Sequence, residues 1–369
     1  MSNLNDYLIW RGDLTLDHAL WCEVDSLIMA CLSYIKLNEA ADASVALHDI
    51  VNPEGFDDKL VNRFFRKCRA LFDQMAQSAR YGHMVLHDYV DILDDEGVKQ
   101  FSAVTADLPD GISFVAFRGT DSTITGWRED FHMAFESPVP AQVEALAYLI
   151  RAAEKTDRPL RLGGHSKGGN LAAYAAAHAP AAVQDRILSI SSFDGPGLDD
   201  DTMAGDGYRR ISGRVVSVIP ESSVVGLMLN YHTDYTVVKS DSVGVLQHDP
   251  FTWQLHGPAF ECADSVTDAS RLLDETLHDW LKRCTPEERR EFVDTVFDLL
   301  ASTNARAFAD LTDEKLHSLG AILSTARGMT FAEIINFLRL SGEFVKIGAG
   351  NVIDHLRGDE HDEDSILNN

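Results

Sequence analysis

Apolar residues recur with a helical period along the opening part of the chain. Residues 24–35 and 62–72 each carry a broad apolar stripe, so residues 1–95 are expected to form a helical region packed on a larger core. Beyond residue 96 the texture changes. Residues 101–106 read as a strand, Pro109 to Gly111 as a turn, and residues 112–117 as a second strand. A helical pattern over 140–153 precedes a short strand at 160–162, and residues 170–177 form an alanine-rich helix. Further strands are expected at 187–193, 214–219 and 235–239. Strands that alternate with helices predict an α/β fold with a mainly parallel sheet covered on both faces.

From about residue 265 the strand signals stop. Thr285 and Glu288 make a capping box with Pro286 at the first helical position, followed by apolar Phe292, Val293, Val296, Phe297 and Leu300. Thr330 and Glu333 repeat the device ahead of Ile334, Ile335, Phe337, Leu338 and Leu340. The expected organisation is a helical region at 1–95, an α/β core at 96–264, a helical subdomain at 265–350 and an acidic tail at 351–369. His361 among the tail's carboxylates reads as a solvated residue rather than a metal ligand.

Charge narrows the partners. Lys plus Arg number 32 against 58 Asp plus Glu, a net charge of -26, which repels phosphate backbones and argues against nucleic acid as a ligand. No apolar run approaches the roughly 18 residues of a membrane span. Residues 1–11 lack a basic stretch followed by an apolar one, so no export signal is read and a cytoplasmic location is expected. Five scattered cysteines, Cys22, Cys31, Cys68, Cys262 and Cys284, suit a reducing compartment better than a disulfide framework or a zinc site.

The chemistry centres on Gly164-His165-Ser166-Lys167-Gly168, a G-x-S-x-G pattern between the strand at 160–162 and the helix at 170–177. A strand that turns sharply into a helix can expose a serine oxygen, and only small residues fit two positions to either side. Serine needs a positioned base. His248, in a loop beside Asp249 and Pro250, is the first candidate; His256 and His232 are weaker ones. His165 adjoins the serine and is expected to play a structural part. For the orienting acid, Glu221 directly after the strand at 214–219 ranks ahead of Asp194, which follows the strand at 187–193, and Asp234 comes third. An oxyanion hole is expected from the backbone N–H of Lys167 and from Thr120, in the Phe117-Arg118-Gly119-Thr120 segment. Arg118 reads as an ion-pairing residue.

These segments, together with Gly126-Trp127-Arg128-Glu129-Asp130, resemble the class 3 lipases, a branch of the α/β-hydrolases. The resemblance covers about residues 100–255. It implies that Thr120 supplies an oxyanion donor, that about residues 121–135 form a lid, and that the late histidine is His248. The family's acid falls near Glu221, and the stretch from Ser192 to Leu198 lacks the family's Arg-Val pair. More narrowly, the segments 5–13, 220–226 and 247–253 resemble a bacterial family of lipase-like proteins called Mbeg-like, a likeness that covers nearly the whole chain and implies no substrate.

The expected activity is hydrolysis of a small-molecule or lipid acyl ester through an acyl-enzyme, with no metal and no cofactor. A thioesterase, an amidase and a non-catalytic binding protein are the alternatives. The lid segment mixes Asp121, Arg128, Glu129, Asp130 and His132 with Ile124, Trp127, Phe131, Met133 and Phe135, which is fairly charged for insertion into an oil surface. A soluble ester fits better than bulk triglyceride.

Overall fold

In a computed structural model, the residues described are 2–50, 63–121, 123–133, 135–229, 235–301, 339–343 and 346–347. His232, Asp234, the second capping box and the acidic tail lie outside them.

Eight strands form one sheet whose spatial order follows the chain: β1 (Val45–Ala46), β2 (Val85–Asp94), β3 (Lys99–Asp107), β4 (Ser113–Phe117), β5 (Leu160–His165), β6 (Ile187–Phe193), β7 (Val215–Pro220) and β8 (Tyr235–Val238). The pairings from β1 to β4 are antiparallel, and those from β4 to β8 are parallel. The helices are α1 (Leu4–Arg11), α2 (Glu23–Leu32), α3 (Arg63–Gln77), α4 (Ile124–His132), α5 (Pro140–Lys155), α6 (Lys167–His178), α7 (Ala181–Gln184), α8 (Asp200–Ala204), α9 (Asp206–Ile211), α10 (Asp268–Arg283) and α11 (Pro286–Ala301).

This order has a consequence for layering. Crossovers between parallel strands are right-handed, so a sheet whose strands follow chain order sends successive crossover helices to one face. Helices α5 and α6 accordingly pack together over the sheet, with Leu149, Leu171, Leu162 and Ile190 in one core. The opposite face would be bare without the N-terminal helices. Helix α2 covers it, with Val24 through Leu32 buried, and its core includes Leu27, Ile28, Phe72, Phe114 and Trp253. A mainly parallel sheet between two helical layers, with a strand–serine–helix turn at its centre, is the α/β-hydrolase fold.

The region expected to be helical also supplies β1 and β2. In β2, Leu86 and Tyr89 are buried, and a register shift between His87 and Val90 breaks the alternation that would mark a strand in the sequence. The capping box at Thr285 is present: the Glu288 N–H donates to Thr285 Oγ1 at 3.2 Å, and the Thr285 N–H donates to Glu288 Oε2 at 2.9 Å.

The N-terminal layer is fastened by one buried carboxylate. Asp25 on α2 accepts bonds from Arg80 Nε at 2.8 Å and Nη2 at 2.6 Å, from the Tyr7 hydroxyl at 2.9 Å, from the Tyr81 hydroxyl and from the Cys22 N–H at 2.8 Å. Burial opposes its ionisation, but the bonds and charge of Arg80 outweigh burial and hold its carboxyl below the ordinary value. Both side chains are 0% exposed. Arg80→Met, which strands a buried carboxylate, is expected to lower unfolding free energy by about 3–5 kcal/mol in urea titrations, whereas surface Arg209→Met is expected to change it by less than about 0.5 kcal/mol.

Candidate functional site

Strand β5 runs into α6 through Ser166, whose backbone sits at φ 57 and ψ -136. That left-handed conformation is strained for a residue with a side chain, and it needs surroundings that enforce it. The enforcement comes from close approach on both sides of the turn. A methyl group on Gly164 would lie 2.2 Å from the Gly168 carbonyl carbon, and one on Gly168 would lie 2.2 Å from the Phe117 oxygen. The Ser166 N–H donates to the Phe193 carbonyl at 2.9 Å, and the Ser166 carbonyl accepts from Gly169 at 2.9 Å. The turn is therefore locked against β6 on one side and the end of β4 on the other.

Gly119 brings the segment after β4 against this turn. A Cβ there would stand 2.4 Å from the His165 oxygen and 3.0 Å from Ser166 Cβ. Thr120 follows, its hydroxyl donating to Asp130 on α4. Lys167 begins α6, so its N–H lies in the first turn, where helical amides have no acceptor within the helix. Gly119 thus brings the segment that carries Thr120 against the Ser166 turn, beside the start of α6.

The Lys167 side chain turns away from solvent. It is 0% exposed, and its ammonium donates to Glu129 Oε2 at 3.0 Å and to the Gln100 carbonyl at 2.9 Å, with Asp130 at 3.5 Å. Glu129 is buried as well; its two oxygens also accept from the N–H groups of Gln100 at 2.9 Å and Ala141 at 2.8 Å. Burial disfavours the Lys167 ammonium, yet the charges of Glu129 and Asp130 overcome this and hold its pKa above the ordinary value. Burial pushes the Asp130 carboxyl up to about 6, against the opposing pull of Lys167 and Thr120. Helix α4 is held on a second side too: Arg128 Nη2 lies 2.7 Å and His132 Nε2 2.9 Å from Asp294 of α11, and Phe131 packs on Phe297. Helix α4, within the segment expected to be a lid, is clamped between β3 and α5 on one side and α11 on the other. Arg118 is an ion-pairing residue, 2.8 Å from Asp91.

Among the candidate acids that are described, the one that meets His248 is Asp194. Its Oδ2 accepts from His248 Nδ1 at 2.6 Å. The carboxylate is fully buried, and its Oδ1 accepts from the Ser223 hydroxyl at 2.5 Å and the Gly226 N–H at 3.1 Å. Since a carboxylate here accepts, Nδ1 carries the hydrogen, and Nε2 is left as the basic nitrogen of His248. Glu221, ranked first from the sequence, has another place. Its N–H donates to Val238 at 3.2 Å and its carbonyl accepts from Thr267 at 2.7 Å, ties that join β7 to β8 and to the start of α10. The reversal has a local cause. Asp194 stands at φ 47, which turns the chain sharply at the end of β6, and the loop after β7 supplies donors to Asp194 rather than an acid to His248.

The His248 loop is braced. The Trp253 indole donates to the Gln247 carbonyl at 2.7 Å, the Gln247 side-chain oxygen accepts from Ser222 at 2.7 Å, and Lys67 pairs with Asp249 at 2.5 Å. His165 has the structural role expected of it. Its Nε2 lies 2.8 Å from the His248 carbonyl, which can only accept, so Nε2 bears the hydrogen and Nδ1 accepts from the Tyr34 hydroxyl at 3.0 Å. Burial, reinforced by the neighbouring His248, pushes the His165 imidazole down to about 3. His256 is exposed, in a two-residue strand. Tyr34 carried no local sequence signal, and Ser223 and Glu129 lay in recognised segments without a part of their own, because what each does depends on contacts with residues remote in the chain.

Among the described residues no group of three or more His, Cys, Asp or Glu is placed to hold a metal ion, and no helix is long and apolar enough to cross a membrane. All five cysteines are free.

A family model described as Mbeg1-like matches residues 75–298, more than half of the chain. No curated protein matches. Among solved structures, the chain is similar to M37 lipase at 13% identity and a TM-score of 0.39, over 57% of this chain and 70% of that one. It is similar to the Rhizomucor miehei lipase propeptide complex at 15% identity and a TM-score of 0.31, over 42% of this chain and 56% of that one.

The depressed His165 value makes a pH prediction. The unfolded chain takes up a proton at His165 as pH falls below the ordinary 6.5, whereas the folded chain does so only near about 3. Its contribution to stability is therefore full above pH 6.5 and lost as pH falls through that window. In His165→Gln, the slope of unfolding free energy against pH over this window is expected to shrink by up to about 1.4 kcal/mol per pH unit, as read from urea titrations. An unchanged slope would contradict a neutral buried His165.

Proposed function

The chain belongs to the Mbeg1-like family, and we propose that it is a serine hydrolase that cleaves carboxylic esters through Ser166, His248 and Asp194. The observation that carries this reading is the 2.6 Å bond from His248 Nδ1 to a buried carboxylate, in the same sheet-end cluster as a serine held at positive φ. A merely structural histidine would not need its tautomer fixed by an acid that is itself held by Ser223 and Gly226.

The reaction follows from the assigned roles. His248 Nε2 takes the Ser166 proton as Oγ attacks the ester carbonyl. The carbonyl π pair moves to oxygen, and the backbone amides of Lys167 and Thr120 receive that oxyanion. Collapse expels the alcohol, which leaves with the proton from His248, and Ser166 remains acylated. Water then attacks, giving its proton to His248, and the second collapse releases the acid and restores Ser166. Asp194 stays ionised throughout and stabilises the imidazolium. Glu129 and Lys167 act at a distance: their buried pair fixes the first turn of α6 against α4, and so holds the amides in line.

Steady-state kinetics on p-nitrophenyl butyrate test the assignment. Ser166→Ala and His248→Ala are expected to lower kcat by on the order of 10⁴-fold or more, and Asp194→Asn by about 10³–10⁴-fold. Glu221→Gln is expected to stay within about threefold of the parent. Loss of activity in Glu221→Gln with retention in Asp194→Asn would reverse the choice of acid. Turnover by the parent chain no higher than by Ser166→Ala would remove the hydrolase reading altogether.

A further inference from the structure

His248 is held at two points. Asp194 holds its ring, through Nδ1 at 2.6 Å, and the His165 Nε2–H holds its backbone carbonyl at 2.8 Å. The two imidazoles also lie against each other, with centroids 4.6 Å apart and planes 37° from parallel. The second hold works in one tautomer only. A neutral imidazole carries a single hydrogen on its two nitrogens. With that hydrogen on Nε2, His165 donates to the His248 carbonyl. With it on Nδ1, a lone pair at Nε2 would face the carbonyl oxygen and push the His248 loop away. Burial, reinforced by His248, keeps His165 neutral, so a second proton cannot supply both donors.

The group that selects between the tautomers is the one at Nδ1, the Tyr34 hydroxyl at 3.0 Å. Tyr34 is 1% exposed and stands two residues beyond α2. Gly119 leaves room for its hydroxyl, since a Cβ there would collide with it. Without that hydroxyl, His165 Nδ1 would be a buried acceptor with no donor, and the preference for Nε2–H would fade.

Tyr34 belongs to the N-terminal layer, and the same layer grips the His248 loop again through α3. Phe64 packs on Tyr34 at 4.8 Å, on His165 at 5.7 Å and on Phe251 at 6.0 Å between ring centroids, and Lys67 pairs with Asp249 at 2.5 Å. Tyr34, Phe64 and Lys67 all precede the stretch 75–298 that the family model matches.

We propose that Tyr34 is a positioning residue for the reaction at Ser166: its hydroxyl fixes the tautomer in which His165 holds the His248 carbonyl, and so sets where His248 Nε2 meets Ser166 Oγ. The inference rests on the Ser166 reading. Tyr34 reaches the reaction only through His165, so loss of its hydroxyl slows the chemical step and leaves substrate binding as it was.

The test uses the full chain with p-nitrophenyl butyrate. Tyr34→Phe keeps the ring and its packing on Phe64 and deletes only the hydroxyl. It is expected to lower kcat about tenfold, with KM within about twofold of the parent. His165→Leu leaves no tautomer to fix, so Tyr34→Phe added to that background is expected to change kcat by less than about twofold. The same loss in both backgrounds would make Tyr34 a packing residue and overturn the proposal, as would an unchanged kcat in Tyr34→Phe. A second readout needs no substrate. In nitrogen-15 spectra of the histidine-labelled chain at neutral pH, the His165 signals are assigned by their loss in His165→Gln. They are expected to show the Nε2–H form in the parent and a mixture of tautomers in Tyr34→Phe; one and the same tautomer in both would overturn the proposal. Thermal midpoints check folding, and the spectra decide alone if His165→Leu is unfolded. The hydrolase reading fails separately: no ester turnover by the parent would remove it and the positioning role with it, and a tautomer that still shifts in Tyr34→Phe would show that the fault lay in that reading and not in the Tyr34–His165 contact.

Discussion

Everything at the centre of this molecule depends on the chain turning at Ser166 with a positive φ. The turn is costly by itself, on the order of 1–3 kcal/mol, and persists because the parts around it leave no alternative. Gly164 and Gly168 are pressed together across it, the Phe117 oxygen lies against Gly168, and Gly119 lies against His165 and Ser166. Any displacement of β4, β6 or α6 would relax the turn. The two helical layers matter to function in this sense: α2 on one face and α5 with α6 on the other keep the strand ends in register.

Buried charges then connect the turn to the rest. Lys167 reaches through Glu129 to β3, α4 and α5, and Asp194 reaches through Ser223 and Gly226 to the loop after β7. Such pairs add little net stability over apolar packing, but removal of one partner is expensive, so they oppose partial rearrangement. In this chain they meet on either side of the Ser166 turn: where α4 joins the start of α6, and behind His248. The clamped α4 follows from the same economy of positions, since its inner face carries Glu129 and its outer face carries Arg128.

Much of this was legible in the sequence. The turn at Ser166 was marked by Gly164, Gly168 and an alanine-rich helix, the His248 loop by Asp249 and Pro250, and the parallel sheet by alternating strands and helices. These signals are short-range, so residue order records them. Which carboxylate meets His248 was not legible. Glu221 and Asp194 both follow strands, and the choice turned on the direction of Asp194 at φ 47 and on donors from a loop some thirty residues later. The strand β2 was hidden for a related reason, because the shift between His87 and Val90 interrupts its alternation. The Lys167–Glu129 pair joins residues far apart in the chain and has no local pattern at all.

The central claim is that Ser166 is an activated nucleophile and not simply a strained turn residue. The most direct measurement is reaction of the full chain with a fluorophosphonate, followed by mass spectrometry of the peptide that carries the adduct. The account predicts near-stoichiometric labelling at Ser166, slowed by orders of magnitude in Asp194→Asn and absent in His248→Ala. No adduct on the folded protein, or an adduct on another residue at the same rate in Ser166→Ala, would contradict it.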